Sequence, residues 1–220
     1  MDTPLAELDG HGGPDATAEL ASWAQAFETR LHDQMQQLDP SWQPALASEL
    51  AVIEHLPDES ARRRFVARWM LHHCRGWPLL HRWLDPSPRL ALLRRGPMLR
   101  QLCTLALARR PGVLRCVVER RARQGLKEAL GPNYERLLSG SGRAPADGVT
   151  EWSPLHWACI GFGDWLTVLQ AEDGPVRRMV RLSLPQGLLN VPLLRRRVPG
   201  ECSVLQALQT LREHEVAWPC

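Results

Sequence analysis

Residues 156–170 read HWACIGFGDWLTVLQ, and two assignments compete for the glycines at 161 and 163. In one, GFGDWL is the turn between a strand and a helix and its bare backbone cradles a phosphate. In the other, the glycines lie inside a helix and another backbone packs against them. The residues upstream separate the two. Ser153-Pro154 is a strong helix start, with serine as the cap and proline at the first helical position. Counted from there, Leu155, Ala158, Phe162, Trp165, Leu166 and Leu169 form a helical stripe that runs through both glycines. A phosphate cradle needs a preceding strand and a third glycine, but position 166 is leucine and no strand pattern comes before it. The stretch predicts a buried helix with glycine notches, and it argues against a nucleotide site.

The same periodicity recurs outward from this segment. Upstream, MLRQLCTLALARR at residues 98–110 is apolar on most sides, as a central helix is. Residues 112–130, GVLRCVVERRARQGLKEAL, are amphipathic and stop at Gly131-Pro132, and NYERLL adds a short helix at 133–138. Nearer the start, Leu20, Trp23, Phe27, Leu31, Met35 and Leu38 predict a helix that Asp39-Pro40 ends. Trp42, Leu46, Leu50, Ile53 and Leu56 predict a second. Asp58 caps a third, with Phe65, Val66, Trp69, Met70 and His73 on its inner side. Residues 180–185, VRLSLP, alternate and predict one short strand or hairpin.

The expected fold is therefore mainly α. The first 14 residues read as a disordered N-terminus, 15–138 as a helical N-terminal part and 139–152, SGSGRAPADGVTEW, as a loop or linker. Residues 153–220 read as the helical C-terminal part of the same domain. With 220 residues, 44% of them apolar, there is material for a substantial core. No run approaches the roughly 20 apolar residues of a membrane span, and the acidic start does not resemble a secretory signal, so the chain is expected in the cytosol.

The side chains offer little catalytic chemistry. Cys74, Cys103, Cys116, Cys159, Cys202 and Cys220 are widely spaced without a Cys-x-x-Cys pair, and read as reduced thiols. His72, His73, Cys74 and His81 look like metal ligands, but neighbours on a helix point apart and no His-x-x-x-His pair occurs. No Gly-x-Ser-x-Gly elbow is present, the cysteines carry no nucleophile signature, and the carboxylates lack a paired apolar setting. Neither metal nor cofactor is expected, and no enzymatic activity.

Lys127 is the single lysine, so 26 of the 27 Lys-plus-Arg positions are arginine, at a net charge of only +3. Arginine runs at 62–64, 195–197 and in ERRAR at 119–123 raise a helical nucleic-acid-binding regulator as an alternative function, beside a third option, an enzyme of unknown type with a Cys or His site. Acidic neighbours and the absence of interleaved aromatics favour solvated arginine faces instead. Of the nine tryptophans, Trp23, Trp69 and Trp165 fall on core stripes. Trp77, Trp83, Trp152 and Trp218 lie beside prolines or chain breaks, where a tryptophan can serve as a contact residue.

One family resemblance emerges. Leu102-Cys103, Leu114-Arg115-Cys116-Val117, Leu126, Leu130, Leu137 and Leu138, then Gly161, Trp165-Leu166 and Arg181-Leu182-Ser183-Leu184-Pro185, form a pattern over about residues 99 to 185. It resembles the SctK/YscK family of type III secretion. The resemblance implies a cytosolic accessory protein of the injectisome. Such a protein links the cytoplasmic domain of the inner-membrane ring protein to the pod, or C-ring, protein of the sorting platform. It implies no catalytic residue. Partner contacts are expected at Arg177, Arg178, Arg181, Arg195, Arg196 and Arg197, with Trp152 and Trp218, because arginine forks pair with carboxylates in a fixed orientation.

Overall fold

The computed structural model describes residues 14–143, 149–189 and 198–214. Among them the regular structure is helical: α1 (Pro14–His32), α2 (Gln34–Gln37), α3 (Ala47–Glu54), α4 (Glu59–Cys74), α5 (Pro86–Arg89), α6 (Arg95–Ala108), α7 (Val113–Cys116), α8 (Arg120–Leu130), α9 (Asn133–Leu138), α10 (Pro154–Trp165), α11 (Gly174–Leu182) and α12 (Val204–His214). Short 3₁₀ turns join several of them, including Pro40–Trp42, Leu80–Leu84 and Ala171–Asp173. Of the expected disordered N-terminus, residues 1–13 lie outside the described residues, and Pro14 already opens α1.

The α6–α10 pair forms the centre, with the most extensive helix–helix contact among the described residues. Both helices are apolar nearly all round. Leu102, Leu105 and Leu107 from α6 and Trp157, Ile160 and Trp165 from α10 are all buried. Each such side chain contributes roughly 1.5–3 kcal/mol by leaving water. The pair is drawn together at Gly161. A Cβ added there would fall inside the Leu102 carbonyl oxygen and 2.6 Å from Leu102 C, so only glycine lets the backbones approach so closely. Ser153 Oγ accepts from the His156 amide at 3.4 Å and caps α10, so the glycines do lie in mid-helix.

Around this centre, α1 and α11 pack on α4, while α8 and α12 pack on α6. The Asp58 cap on α4 is present, with Oδ1 2.7 Å from the Ala61 amide. The inner face of α4 is Val66, Met70 and Cys74, and His73 is turned outward against Trp69.

The short strand expected at residues 180–185 is not formed. Val180 and Leu182 end α11, and Ser183 and Leu184 continue its turn through hydrogen bonds to the Val180 and Arg181 carbonyls. The carbonyls that a strand would give to a neighbouring strand go elsewhere. Leu182 O accepts from the Asp39 amide at 2.9 Å, Ser183 O from Arg95 Nε at 3.0 Å and Leu184 O from Trp42 Nε1 at 2.9 Å. The alternation is the outer end of a helical stripe that starts at Val176, Met179 and Val180.

The glycine-rich stretch after α9 begins as packed chain. Gly140 and Gly142 press on Pro111, where an added Cβ on either would come 2.8 Å from a ring carbon or Cβ of that proline. The Arg143 amide donates to Glu201 Oε1 at 2.9 Å. Residues 144–148 lie outside the described residues.

Candidate functional site

Two elements meet at the end of α4 and build one mixed surface. The left-handed Arg75 (φ 63°) and Gly76 (φ 108°) stop the helix and turn the chain into the proline-bounded segment 77–85. That segment is too short to hide all of its apolar side chains. Trp83 is taken into the core, with its ring 5.6 Å from Phe27. Trp77, Leu79, Leu80 and Leu84 each remain about half exposed, from 48% to 53%. Trp77 keeps one contact inward, also to Phe27, at 5.2 Å.

Arg82 fastens this turn to the start of α11. Its Nε reaches Asp173 Oδ1 at 3.1 Å and its Nη2 reaches Asp173 Oδ2 at 2.9 Å, a two-toothed pair buried on both sides. The Asp173 hydrogen bond raises the Arg82 pKa. Asp173 Oδ2 also accepts from the Gln170 amide at 2.8 Å, closing a capping box on the 3₁₀ turn Ala171–Asp173 that leads into α11.

On α11 the buried face is Val176, Met179 and Val180, which leaves Arg177, Arg178 and Arg181 on the other side. Arg178 Nη1 donates to the Cys74 carbonyl at 2.9 Å, three residues before Trp77. Arg177 Nη2 donates to the Gln170 carbonyl. Arg181 is exposed and lies over the Trp42 ring, 5.9 Å from its centre. Partial burial of its ring, and next the Arg178 charge, lower the His73 pKa.

Of the three arginines, Arg178 reaches the end of α4 next to the exposed apolar run, while Arg177 bonds the Gln170 carbonyl and Arg181 turns to the Trp42 ring. Trp152 lies elsewhere: half-buried at the entry to α10, it stacks on His156 at 6.1 Å and touches Trp157 at 5.4 Å, partners that it shares with none of the three arginines. Arg195, Arg196, Arg197 and Trp218 lie outside the described residues. The His72, His73, Cys74 and His81 set is dispersed, since Cys74 points into the core while the three histidines are exposed. Among the described residues no three His, Cys, Asp or Glu side chains converge as metal ligands.

Sequence reasoning flagged Trp77 but missed Leu79, Leu80 and Leu84. The available signal was the pair of prolines, Pro78 and Pro86, bounding a run too short to form a helix with a buried face. It also missed the buried ion pairs, whose partners are far apart in sequence. Asp164, inside GFGDWL, is fully buried and held by Arg110 Nη1 at 2.6 Å and Arg109 Nη1 at 2.5 Å. The same two arginines bind the segment before α12, Arg110 through the Val198 carbonyl at 2.7 Å and Arg109 through the Cys202 carbonyl at 2.8 Å.

A family model described as bacterial type III secretion protein (HrpB4) matches residues 15–211. The chain belongs to the HrpB4 family of bacterial type III secretion proteins. The match extends the type III secretion assignment well beyond residues 99 to 185, across α1 to α5 and into α12. The surface at α4 and α11 therefore belongs to a type III secretion component. No curated protein and no solved structure matches the chain. Among the described residues no helix is long and apolar enough to cross a membrane.

Proposed function

We propose that this protein is a non-enzymatic adaptor of the type III secretion injectisome. In this reading it works in the bacterial cytoplasm, held at the inner membrane by protein contacts. It links the cytoplasmic domain of the inner-membrane ring protein to the pod protein of the sorting platform. The observation that carries the reading is the exposed run of Trp77, Leu79, Leu80 and Leu84 at the end of α4, where Arg178 donates to the Cys74 carbonyl. Apolar anchors next to arginines are the composition of a protein–protein contact. Membership of a type III secretion family supplies the setting. Arg195, Arg196, Arg197, Trp152 and Trp218 are further proposed contact residues.

The test uses the full chain and measures its binding to the ring protein's cytoplasmic domain and to the pod protein separately. Three variants are compared: Leu80→Ser/Leu84→Ser, Arg178→Glu/Arg181→Glu and the triple change of Arg195, Arg196 and Arg197 to serine. Loss of one partner with an unchanged circular dichroism spectrum assigns that partner to the altered surface. Wild-type protein that binds neither component overturns the adaptor reading.

A further inference from the structure

The arginine-rich motif at residues 119–123 has no part in the surface above, and the structure gives it a different setting. Helices α7, α8 and α9 enclose an open cleft of about 480 Å³, within the size range of ligand-holding clefts. Its base is apolar: Leu114 and Tyr134 are buried there, and Leu138 is half-buried. Its walls carry four cations, Arg115, Arg120, Arg123 and Lys127, against one carboxylate, Glu135.

These cations are poorly neutralised by the protein itself. Among the described residues Arg115 and Arg120 have no ion pair. Lys127 meets Glu135 only at 3.7 Å, with both side chains well exposed, a geometry worth little in water. Arg123 is pinned in place, its Nε and Nη2 both donating to the Val117 carbonyl at 3.2 and 2.9 Å, so its remaining N–H groups are held ready at little entropic cost. The extended link between α7 and α8 then presents Val118 at 81% exposure, the most exposed of the large apolar side chains described.

We propose that this cleft is a second docking site, separate from the α4–α11 surface, and that its occupant is an acidic segment of a partner protein bearing an apolar anchor. The charge argument selects carboxylates over a phosphate chain. Glu135 stands in the cleft wall among the cations and Glu119 directly precedes Arg120 in the chain, so a continuous run of phosphates would meet repulsion there. Discrete carboxylates can each face one guanidinium. The apolar base and Val118 give the segment's hydrophobic residues a seat that nucleic acid would not use.

The experiment is a random-peptide display selection on the immobilised full chain, followed by fluorescence anisotropy of the enriched peptides. Wild-type protein is compared with Arg115→Glu/Arg120→Glu, both exposed positions. The expected result is enrichment of peptides with Asp or Glu around a Leu, Phe or Trp. Affinity should fall about tenfold or more in the variant, as reversed rim charges do to complementary interfaces. It should recover when the peptide's acidic residues are exchanged for lysine, a rescue that a merely structural effect would not give. Should the double variant lose its helical spectrum, Lys127→Glu is read in the same way, with a smaller loss expected. Enriched peptides without acidic bias, or acidic peptides that bind variant and wild type alike, overturn the proposal. So does a single-stranded oligonucleotide that displaces the peptides and is itself lost in the variant, which would make the cleft a nucleic-acid site.

Discussion

Two glycines on neighbouring helices show how far one residue's surroundings set its energetics. Gly161 faces the Leu102 backbone, which cannot move aside as a side chain can. Gly161→Ala is expected to lose about 3 kcal/mol, the upper part of the overpacking range, in urea unfolding. Gly125, in the middle of α8, would place its Cβ at an ordinary 3.9 Å from the Pro154 ring. Gly125→Ala is expected to gain about 0.5–1 kcal/mol, since alanine restricts the unfolded chain and favours the helix. A loss at both positions would show that α8 does not tolerate the added methyl. Asp164 belongs to the same scale. Asp164→Asn leaves two guanidinium groups facing a neutral amide inside the core, and is expected to cost about 3–5 kcal/mol by the same measurement. The notch at Gly161 was legible in the sequence because a helical stripe passes through it. The Asp164 cluster was not, because Arg110 lies 54 positions away and only the fold brings the two together.

Helix starts are set by a few local bonds, and these can be removed one at a time. Asp58→Ala removes the carboxylate that accepts from the Ala61 amide, and Ser153→Ala removes the hydroxyl that accepts from the His156 amide. Each is expected to lower stability by about 1 kcal/mol, read as a shift in the urea midpoint. No shift for Asp58→Ala would mean that water replaces the cap without loss. Both caps were readable from sequence, since cap chemistry is local. Helix interruptions were less so. The apolar stripe runs unbroken from Leu20 to Leu38, yet the chain breaks at Asp33 between α1 and α2. Periodicity reports which side faces the core and is blind to a turn that keeps the same side inward. Residues 42–56 show the same effect, because Pro44 opens a 3₁₀ turn and only Ala47–Glu54 is α-helical. The strand expected at 180–185 failed for a related reason: a few alternating residues match the edge of a helical stripe as well as they match a strand.

Across the whole molecule, the core places three thiols where their ionisation opposes folding. Cys74 on α4, Cys103 on α6 and Cys159 on α10 are buried, and burial pushes each thiol from 9.0 up to about 12; the Arg178 charge pulls the other way at Cys74 without cancelling the effect. The folded state therefore holds the neutral thiols longer than the unfolded chain does. Their contribution is fully present below pH 9, where both states are protonated. It is lost as the pH rises from about 9 toward 12, because only the unfolded chain releases the protons in that window. Each thiol then removes about 1.4 kcal/mol per pH unit, so the three together give a slope of about 4 kcal/mol per unit below about pH 10, above which the buried Arg30, lowered to about 10 by burial, titrates in the folded state and offsets part of it. Urea unfolding at pH 8 and then at half-unit steps above 9 is expected to show a plateau followed by a steep fall. In a Cys103→Ala/Cys159→Ala variant one of the three thiols remains, so the slope should drop by about two-thirds even though the neutral-pH stability is lower from the start. A wild-type slope that matches the variant's would mean that water reaches these thiols in the folded state, and that the contact between α6 and α10 is looser than the Gly161 notch requires.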